Sequence, residues 1–319
     1  MTDDPLYDLT GKRVWVAGHR GMVGNAIARR LADEPLGELI TATSAEVDLR
    51  RQAATENFVD AARPDVVVLA AAKVGGIEAN RTRQADFLYE NLMIAANVVE
   101  AAQRSEVERV LLLGSSCVYP REAPQPIQES SLLTGPLEPT NEGYAIAKIA
   151  ALELGRMYRR QHGLDAISLM PTNLYGPHDN YDPVSSHVMA ALIRKSHEAR
   201  VSGAAEMVVW GTGTPRREFL HVDDLAEATV VALTRYAGEE HLNVGCGEDV
   251  EIRELAATIC RVVGFEGELV FDTSKPDGMP RKLLDVSRMS ELGWQPRIPL
   301  EEGVADAYRW FQERVAGDR

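Results

Sequence analysis

The sequence predicts an α/β fold, a Rossmann-type doubly wound parallel sheet with a smaller C-terminal substrate-binding domain. Two patterns carry this prediction: short apolar segments alternate with helical ones through the first half, and a glycine-rich turn, Gly18 to Gly24, follows the first apolar segment. Strands that alternate with helices form right-handed βαβ units, which build a parallel sheet covered on both faces. The 319 residues are 45% hydrophobic and 26% charged, which is typical of a globular protein with a large core.

The first half is predicted to contain five strands and four helices. The strands are residues 13–17, 38–43, 66–70, 109–113 and 166–170, and the helices are residues 22–31, 48–62, 84–104 and 142–162. Residues 66–70 (VVVLA) show no polar alternation, as expected of a strand buried on both faces. The helix from residue 48 is expected to end before Pro64, because proline disfavours the helical conformation of the residue before it.

The second half is less regular. Proline, glycine, asparagine and histidine crowd residues 171–186, which predicts a shaped loop. Helices are expected at residues 188–200, 223–236, 252–263 and 300–314, and strands at residues 207–210 and 242–245. Residues 271–284 contain SKPDGMPRK and are expected to form a surface loop.

Charge and composition exclude several classes of protein. With 34 basic and 48 acidic residues the net charge is −14, so the chain is a poor general binder of nucleic acids or anionic membranes. Its longest apolar run, Val66 to Ala72, is too short to span a bilayer. The three cysteines form no CxxC or zinc pattern, so we expect neither a metal site nor a disulfide framework. The acidic start, MTDDPLYDLT, lacks a basic targeting segment, and we expect a cytoplasmic protein.

The glycine turn predicts a dinucleotide site. Its residues are Gly18, His19, Arg20, Gly21, Met22, Val23 and Gly24. Glycines allow a tight turn and a close approach of the backbone to a diphosphate, and the N-terminus of the following helix offers free N–H groups and a positive dipole end. We therefore assign all seven residues to cofactor binding. They belong to a predicted dinucleotide-binding domain of residues 1–172, to which residues 208–245 return, while residues 173–319 form mainly the substrate domain.

Two features favour NADP over NAD. The second strand ends in TATS, with no acidic residue before Glu46 to hold the ribose hydroxyls of NAD. Arg20, inside the glycine turn, can pair with a 2′-phosphate. Asp48 can accept a hydrogen bond from the adenine amine or cap the next helix, and the sequence leaves both roles open.

Tyr144 and Lys148 form the only YxxxK in the chain. Residues i and i+4 of a helix share a face, so we expect the ammonium to lie beside the phenol and to lower the pKa of Tyr144 towards working pH. The fourth strand runs into Gly114-Ser115-Ser116-Cys117, whose small hydroxyls at the carboxyl end of a parallel strand are expected to point into the cleft. Ser115 can then hydrogen-bond a substrate carbonyl beside Tyr144.

These motifs together resemble the extended short-chain dehydrogenases/reductases over nearly the whole chain and, more narrowly, the GDP-L-fucose synthase family. The motifs are GHRGMVG at 18–24, GSSCVYP at 114–120, YAIAK at 144–148, PTNLYGPHDN at 171–180, Ser186-His187 and VVWGTGTPRREFLHVDD at 208–224. The narrower family epimerises carbons 3 and 5 of GDP-4-keto-6-deoxy-D-mannose and reduces the carbon-4 ketone with NADPH. The resemblance implies an enzyme of this kind, both oxidoreductase and isomerase, which acts as a homodimer through residues 84–104 and 142–162.

The resemblance also implies roles for individual residues. Ser115, Tyr144 and Lys148 would act in the reduction, and Cys117 and His187 in the epimerisations. A thiolate at Cys117 is a candidate base if nearby cations favour it, and a histidine is a candidate acid because its ordinary pKa lies near neutrality. Cofactor contacts implied beyond the turn and Asp48 are Leu113, Gly114, Ser115, Ser116, Tyr144, Lys148, Pro171, Thr172, Asn173, Leu174 and His187. Substrate contacts implied are Lys195, Trp210, Arg217, Asp277 and Lys282.

Two other functions remain open at this point. A nucleotide-sugar 4-epimerase of the same superfamily would hold NAD tightly and recycle it, although Arg20 and the missing acid of strand two argue against it. A non-catalytic dinucleotide-binding sensor or scaffold would not need Ser115, Tyr144 and Lys148 together. Tightly retained NAD would favour the first alternative, and an absence of turnover would favour the second.

Overall fold

The computed structural model describes residues 5–275 and 277–317. The strands are β1 Arg13–Ala17, β2 Glu38–Ile40, β3 Val66–Leu69, β4 Arg109–Leu113, β5 Asp165–Pro171, β6 Asn173–Tyr175, β7 Glu206–Trp210, β8 Arg216–Arg217, β9 Phe219–His221, β10 Leu242–Val244, β11 Val250–Glu251, β12 Glu268–Asp272 and β13 Arg281–Lys282. The helices are α1 Met22–Leu31, α2 Gln52–Ala62, α3 Ile77–Thr82, α4 Gln84–Arg104, α5 Glu142–His162, α6 Val188–Ser202, α7 Val222–Arg235, α8 Ile252–Val263, α9 Ser287–Glu291 and α10 Leu300–Gly317.

The main sheet has six strands in the order β10-β5-β4-β3-β1-β2, and all of its neighbouring strands are parallel. The order reverses its direction of growth between β1 and β3, and ligands of such sheets bind outside the carboxyl ends of the strands at this reversal. The predicted doubly wound parallel sheet is therefore confirmed. β10 joins the sheet beside β5, so the chain returns to it after a long excursion.

Alternate residues of the central strands supply two separate cores, one on each face of the sheet. Val66 and Val68 of β3 pack with α1 and α7, whereas Val67 and Leu69 pack with α2, α4 and α5. Because both faces are covered, neither set needs polar residues, which explains the unbroken apolar run of β3.

A third core lies in the second half of the chain. Apolar residues of α6, α8 and α10 cover β7, which pairs in parallel with β12. Helix α8 begins with a capping box between Glu251 and Glu254 and buries one stripe that includes Leu255 and Ile259. The division of the chain into domains at residue 172 stays a prediction.

Most predicted bounds differ from the observed ones by no more than three residues, residues 173–175 of the predicted loop form β6, and three further differences are larger, halve an element or change the structural class. The helix expected from residue 48 begins at Gln52, because the Asp48 carboxylate accepts bonds from the N–H and Nε of Arg50 and holds this stretch as a turn, with extended Arg51 after it. The strand expected over residues 38–43 ends at Ile40. Residues 271–284 are only partly a surface loop, because residues 281–282 form β13 beside β8 and the next two leucines are buried.

Candidate functional site

The turn after β4 places Ser115 and Cys117 on one short structure. The buried strand ends at Leu113, and Ser115 is the N-cap of a 3-10 helix over Ser116–Val118. The Oγ of Ser115 accepts a hydrogen bond from the N–H of Cys117 at 3.5 Å. Cys117 is buried, with 8% of its surface exposed, and is a free thiol. A tight turn at the end of a buried strand fixes both side chains at the edge of the sheet where ligands bind.

Helix α5 brings Tyr144 and Lys148 to the same turn. The Nζ of Lys148 donates to the carbonyl of Leu113 at 2.8 Å and lies 5.8 Å from the centre of the Tyr144 ring. Burial lowers the pKa of Lys148 to about 8, and the facing Cys117 partly opposes this. The expected lowering of the pKa of Tyr144 is not found: burial and Cys117 raise it, while a hydrogen bond with Ser115 has the opposite effect. The expectation was wrong because the phenol is buried, and the loss of water disfavours its charged form more than the neighbouring groups favour it.

Two ammonium groups lie near enough to the thiol of Cys117 to interact with it electrostatically. Lys148 and Lys282 both interact electrostatically with it, from α5 and β13 respectively. The pKa of Lys282 is lowered, chiefly by burial and further by neighbouring Arg217. Among the described residues, neither lysine has a carboxylate within ion-pairing distance.

The glycine turn has the geometry that a dinucleotide needs. Gly18 adopts φ +92°, and a Cβ there would lie 2.6 Å from the backbone nitrogen of Ala71, while one on Gly24 would lie 2.1 Å from the Gly18 oxygen. At Gly21 a Cβ would meet only the Gly18 oxygen, at 3.6 Å, so this side is open for a phosphate to approach. Helix α1 has no acidic residue in its first turn and no side-chain cap. The residues present therefore fit a dinucleotide diphosphate.

The end of β2 differs from the expectation in one respect. Glu46 folds back, so that its carboxylate accepts bonds from the N–H and the hydroxyl of Thr43 at 2.7 and 2.8 Å, and these bonds lower its pKa. An acid is thus present near His19, although the strand ends without one. Arg20 is exposed and has no ion-pair partner within the described ranges, so it is available to a phosphate. Asp48 does not cap α2, because Arg50 occupies its carboxylate.

Arg217 and Lys282 lie side by side in the pairing of β8 with β13. The guanidinium of Arg217 donates to the carbonyl of Arg216 at 2.8 Å, and burial lowers its pKa, partly offset by Asp277. Two adjacent cations without a carboxylate partner among the described residues suit a diphosphate. The structure therefore brings together two of the five predicted substrate residues, and one of them, Lys282, also interacts electrostatically with Cys117.

The other predicted substrate residues are Lys195 on α6, Trp210 at the end of β7 and Asp277 in the loop after β12. Trp210 is 64% exposed, and the Nζ of Lys195 lies 4.9 Å from its ring centre and donates to the carbonyl of Val208 at 3.2 Å. Burial lowers the pKa of Lys195. The carboxylate of Asp277 accepts from the N–H and the hydroxyl of Thr212, at 2.9 and 2.7 Å, and so closes the loop onto β7. Asp277 therefore shapes this loop, and its binding role stays a prediction.

The segment after β5 combines buried and exposed predicted residues. Pro171 and Thr172 are buried, and the Nδ2 of Asn173 donates to the carbonyl of Glu218 at 2.8 Å. Leu174 is half-buried. His187 is the N-cap residue of α6 and is exposed, yet the surrounding protein still desolvates the ring and lowers its pKa.

Sequence reasoning missed the buried carboxylate of Glu218. The side chain is fully buried and accepts from the N–H groups of Gly247 and Leu284 at 2.7 and 3.1 Å, and burial raises its pKa. Glu218 thereby fixes the strand that carries Lys282 against the one that carries Arg217. The available signal was a single acidic residue at the start of the apolar run EFLHV, because a carboxylate buried with such a run needs hydrogen-bond partners.

None of the helices in the described ranges has the length and apolar character required to cross a bilayer.

Comparisons with known proteins agree with this arrangement. Residues 14–245 match the NAD dependent epimerase/dehydratase family. The chain is 58% identical to the probable GDP-L-fucose synthase 1 of Oryza sativa subsp. japonica, covering 98% of this chain and 97% of that protein, and 54% identical to the GDP-L-fucose synthase of Escherichia coli (strain K12), covering 96% and 98%. A crystal structure of a GDP-L-fucose synthetase from Naegleria fowleri bound to NADP superposes with a TM-score of 0.91 at 28% identity, covering 99% and 98%. The chain belongs to the NAD dependent epimerase/dehydratase family and, within it, to the GDP-L-fucose synthase family.

Proposed function

We propose that this protein converts GDP-4-keto-6-deoxy-D-mannose to GDP-L-fucose, by epimerising carbons 3 and 5 and then reducing the ketone at carbon 4 with NADPH. The observation that carries the proposal is the convergence of Ser115, Cys117, Tyr144 and Lys148 at one strand end, with a second cation, Lys282, facing the thiol. A plain carbonyl reductase needs the hydroxyl of Ser115, the phenol of Tyr144 and the ammonium of Lys148, but not the thiol. Identity to GDP-L-fucose synthases over nearly the whole chain supports the same reading.

The cofactor fits the glycine turn and the side chains beside it. Residues 18–24 would hold the diphosphate, Arg20 the 2′-phosphate, and Lys148 the nicotinamide ribose. When bound, NADPH supplies the hydride for the carbon-4 ketone. Asn173 and Leu174 would present backbone groups to the carboxamide, and the remaining predicted contacts at 113–116 and 171–172 line the strand ends beneath it.

The epimerisations need a base and an acid on opposite faces of the sugar. The Cys117 thiolate would remove the proton beside the ketone, so that the C–H electron pair becomes an enolate whose oxygen accepts bonds from Ser115 and Tyr144. His187 would return a proton to the other face of the carbon. Burial lowers the pKa of His187, so its protonated imidazole is a stronger acid but is the less populated form at neutral pH. Exchange with solvent then returns both groups to their starting protonation states.

The reduction needs a proton for the carbon-4 oxygen. Burial raises the pKa of Tyr144, so the phenol stays protonated at neutral pH and can donate that proton. The charge of Lys148 stabilises the tyrosinate that this donation leaves. Arg217, Lys282 and Trp210 would bind the nucleotide diphosphate and base at the far end of the substrate, with Lys195 and Asp277 beside them.

The experiment that tests the proposal is incubation of the purified protein with NADPH and GDP-4-keto-6-deoxy-D-mannose. We expect NADPH absorbance to fall in step with the formation of GDP-L-fucose, identified by NMR. Protein that retains NAD, ignores added NADPH and inverts only carbon 4 would be the 4-epimerase. Protein that binds NADPH without any turnover would be the sensor or scaffold.

We also propose a cytoplasmic homodimer. The three cysteines are free thiols, as is usual in a reducing compartment. Helices α4 and α5 pack together and expose Tyr89, Ile146 and Met157, by 59%, 41% and 43% respectively, and a second copy of the pair would cover these side chains. Sedimentation at micromolar concentration tests this proposal, and a monomer would contradict it.

A further inference from the structure

A cavity of about 660 Å³ separates the glycine turn from the last helix. One wall is formed by His19 and Arg20 of the turn, and the opposite wall by the loop at His178 together with α6 and α10. Its size falls within the range of small-molecule sites. The cavity therefore extends the predicted diphosphate site towards elements of the second half of the chain.

The charges around this cavity favour an anion. Arg20 and Arg314 line it from opposite walls, and neither forms an ion pair among the described residues, whereas Arg194 is paired with Glu198. Of the two carboxylates that line it, Asp182 already accepts bonds from the N–H and hydroxyl of Ser185. Burial raises the pKa of the other, Asp179, to about 7, so it is partly neutral at physiological pH.

The wall opposite the turn also holds a residue in an unusual conformation. His178 has φ +68°, which is the left-handed region and is uncommon for a residue with a side chain. Its ring lies 5.0 Å from that of Trp310 of α10, and both rings line the cavity. Across the cavity, the Nδ1 of His19 is buried and has no hydrogen-bond partner. A strained wall and an unsatisfied nitrogen at one cavity are typical of a ligand site.

We infer that Arg314, together with Arg20, binds a phosphate group of the nicotinamide cofactor across this cavity. The inference deepens the proposed function and rests on it for the identity of the cofactor. Arg20 lies next to Gly21, where the helix N-terminus is open to phosphate, and Arg314 of the last helix lines the same cavity. The shared chemistry is a phosphate, which is either the diphosphate bridge or the 2′-phosphate. Cofactor binding would thus tie α10 to the glycine turn.

The test compares direct binding of NADPH and NADH to the wild type, Arg314→Gln and Arg314→Lys, measured by calorimetry without the sugar substrate. The matched control is Arg309→Gln on the same helix, where Arg309 is exposed, pairs with Asp306 and does not line the cavity. Loss of a charge-assisted contact at a partly solvated site should weaken NADPH binding by about five- to twentyfold. Arg314→Lys should recover part of this loss, and the control should bind as the wild type does.

The comparison of NADPH with NADH identifies which phosphate Arg314 binds. If Arg314→Gln weakens NADPH alone, Arg314 binds the 2′-phosphate, and if it weakens NADPH and NADH equally, Arg314 binds the diphosphate. If Arg314→Gln binds both cofactors as tightly as the wild type, the inference is overturned. Failure of the proposed function is distinguishable, because wild-type protein would then bind no NADPH, or bind it and leave the sugar unchanged.

Discussion

The two ends of the cofactor site are built in opposite ways. At the catalytic turn, burial lowers the pKa of Lys148 to about 8 and raises that of Tyr144. At the phosphate end, Arg20 and Arg314 are exposed to water. Burial alters proton affinity and so suits a site where protons move, whereas exposed arginines keep their charge and let a large anion enter and leave. Substitutions at the buried end should therefore reduce turnover, whereas substitutions of exposed cations should reduce the affinity for ligands.

Removing the phenol of the buried end should have the largest effect. Tyr144→Phe deletes the proton donor, and we expect kcat for NADPH oxidation to fall by about a thousandfold while NADPH still binds. Tyr158→Phe, farther along α5 where the hydroxyl bonds Glu100, is the control and should retain full activity. A Tyr144→Phe enzyme with more than a tenth of normal turnover would mean that another group donates the proton.

Removing a substrate cation should affect affinity instead. Arg217→Gln deletes the guanidinium next to Lys282, and we expect KM for the GDP-sugar to rise about ten- to hundredfold with a much smaller change in kcat. Arg261→Gln is the control, because Arg261 of α8 forms an exposed ion pair with Glu301 of α10. Steady-state kinetics separate the two constants. An unchanged KM with a large loss in kcat would place Arg217 in the chemistry.

The pH profile reports the buried lysine directly. The pKa of Lys148 is lowered to about 8, so its ammonium is present below that pH and is lost as pH rises through it. We expect kcat/KM, which reports the free enzyme, to decline above about pH 8, approaching tenfold per pH unit. Measurement between pH 6 and 10 tests this. A profile that stays flat to pH 10 would show that the charge of Lys148 is not needed.

The smallest effect concerns stability behind the catalytic turn. The Nε2 of His241 lies 2.8 Å from the hydroxyl of Tyr119, and burial lowers the pKa of His241 to about 4. Between this value and the ordinary pKa of about 6.5, the unfolded chain binds a proton at His241 that the folded protein does not. The stability that neutral His241 contributes is therefore fully present above about pH 6.5 and is lost as pH falls towards 4. The free energy of unfolding of the wild type should fall between pH 7.5 and 5, and we expect this fall to be about 2 kcal/mol smaller in His241→Gln.

Urea unfolding at both pH values measures this contribution. His162→Gln, at the exposed end of α5, is the control and should keep the wild-type pH dependence. If His241→Gln also keeps it, His241 is not the group responsible.

The sequence predicted the elements whose pattern is local. The turn at Gly18 to Gly24 and the i, i+4 pair Tyr144 and Lys148 lie where periodicity and glycine spacing put them, and α4 and α5 match their predicted bounds. Helix α2 failed at its start, because the side chain of Asp48 competes with the helix for nearby N–H groups. The predicted surface loop was wrong at residues 281–284, because the burial of these residues depends on pairing with a distant strand, which no local pattern encodes.

The site was predicted less completely for the same reason. Cys117 and Lys282 are far apart in sequence, and only the fold shows that the ammonium faces the thiol. The clamp made by Glu218 depends on N–H groups from two other segments. The cavity between Arg20 and Arg314 requires both halves of the chain.

Proton removal and ketone reduction are both proposed to occur at the single centre formed by Ser115, Cys117 and Tyr144. The direct measurement is turnover in D₂O by the wild type and Cys117→Ser, with deuterium at carbons 3 and 5 followed by NMR and mass spectrometry. We predict full incorporation at both carbons by the wild type and an exchange rate about a hundredfold or more lower in Cys117→Ser. Exchange at the wild-type rate in Cys117→Ser would contradict the account, because the base would then lie elsewhere.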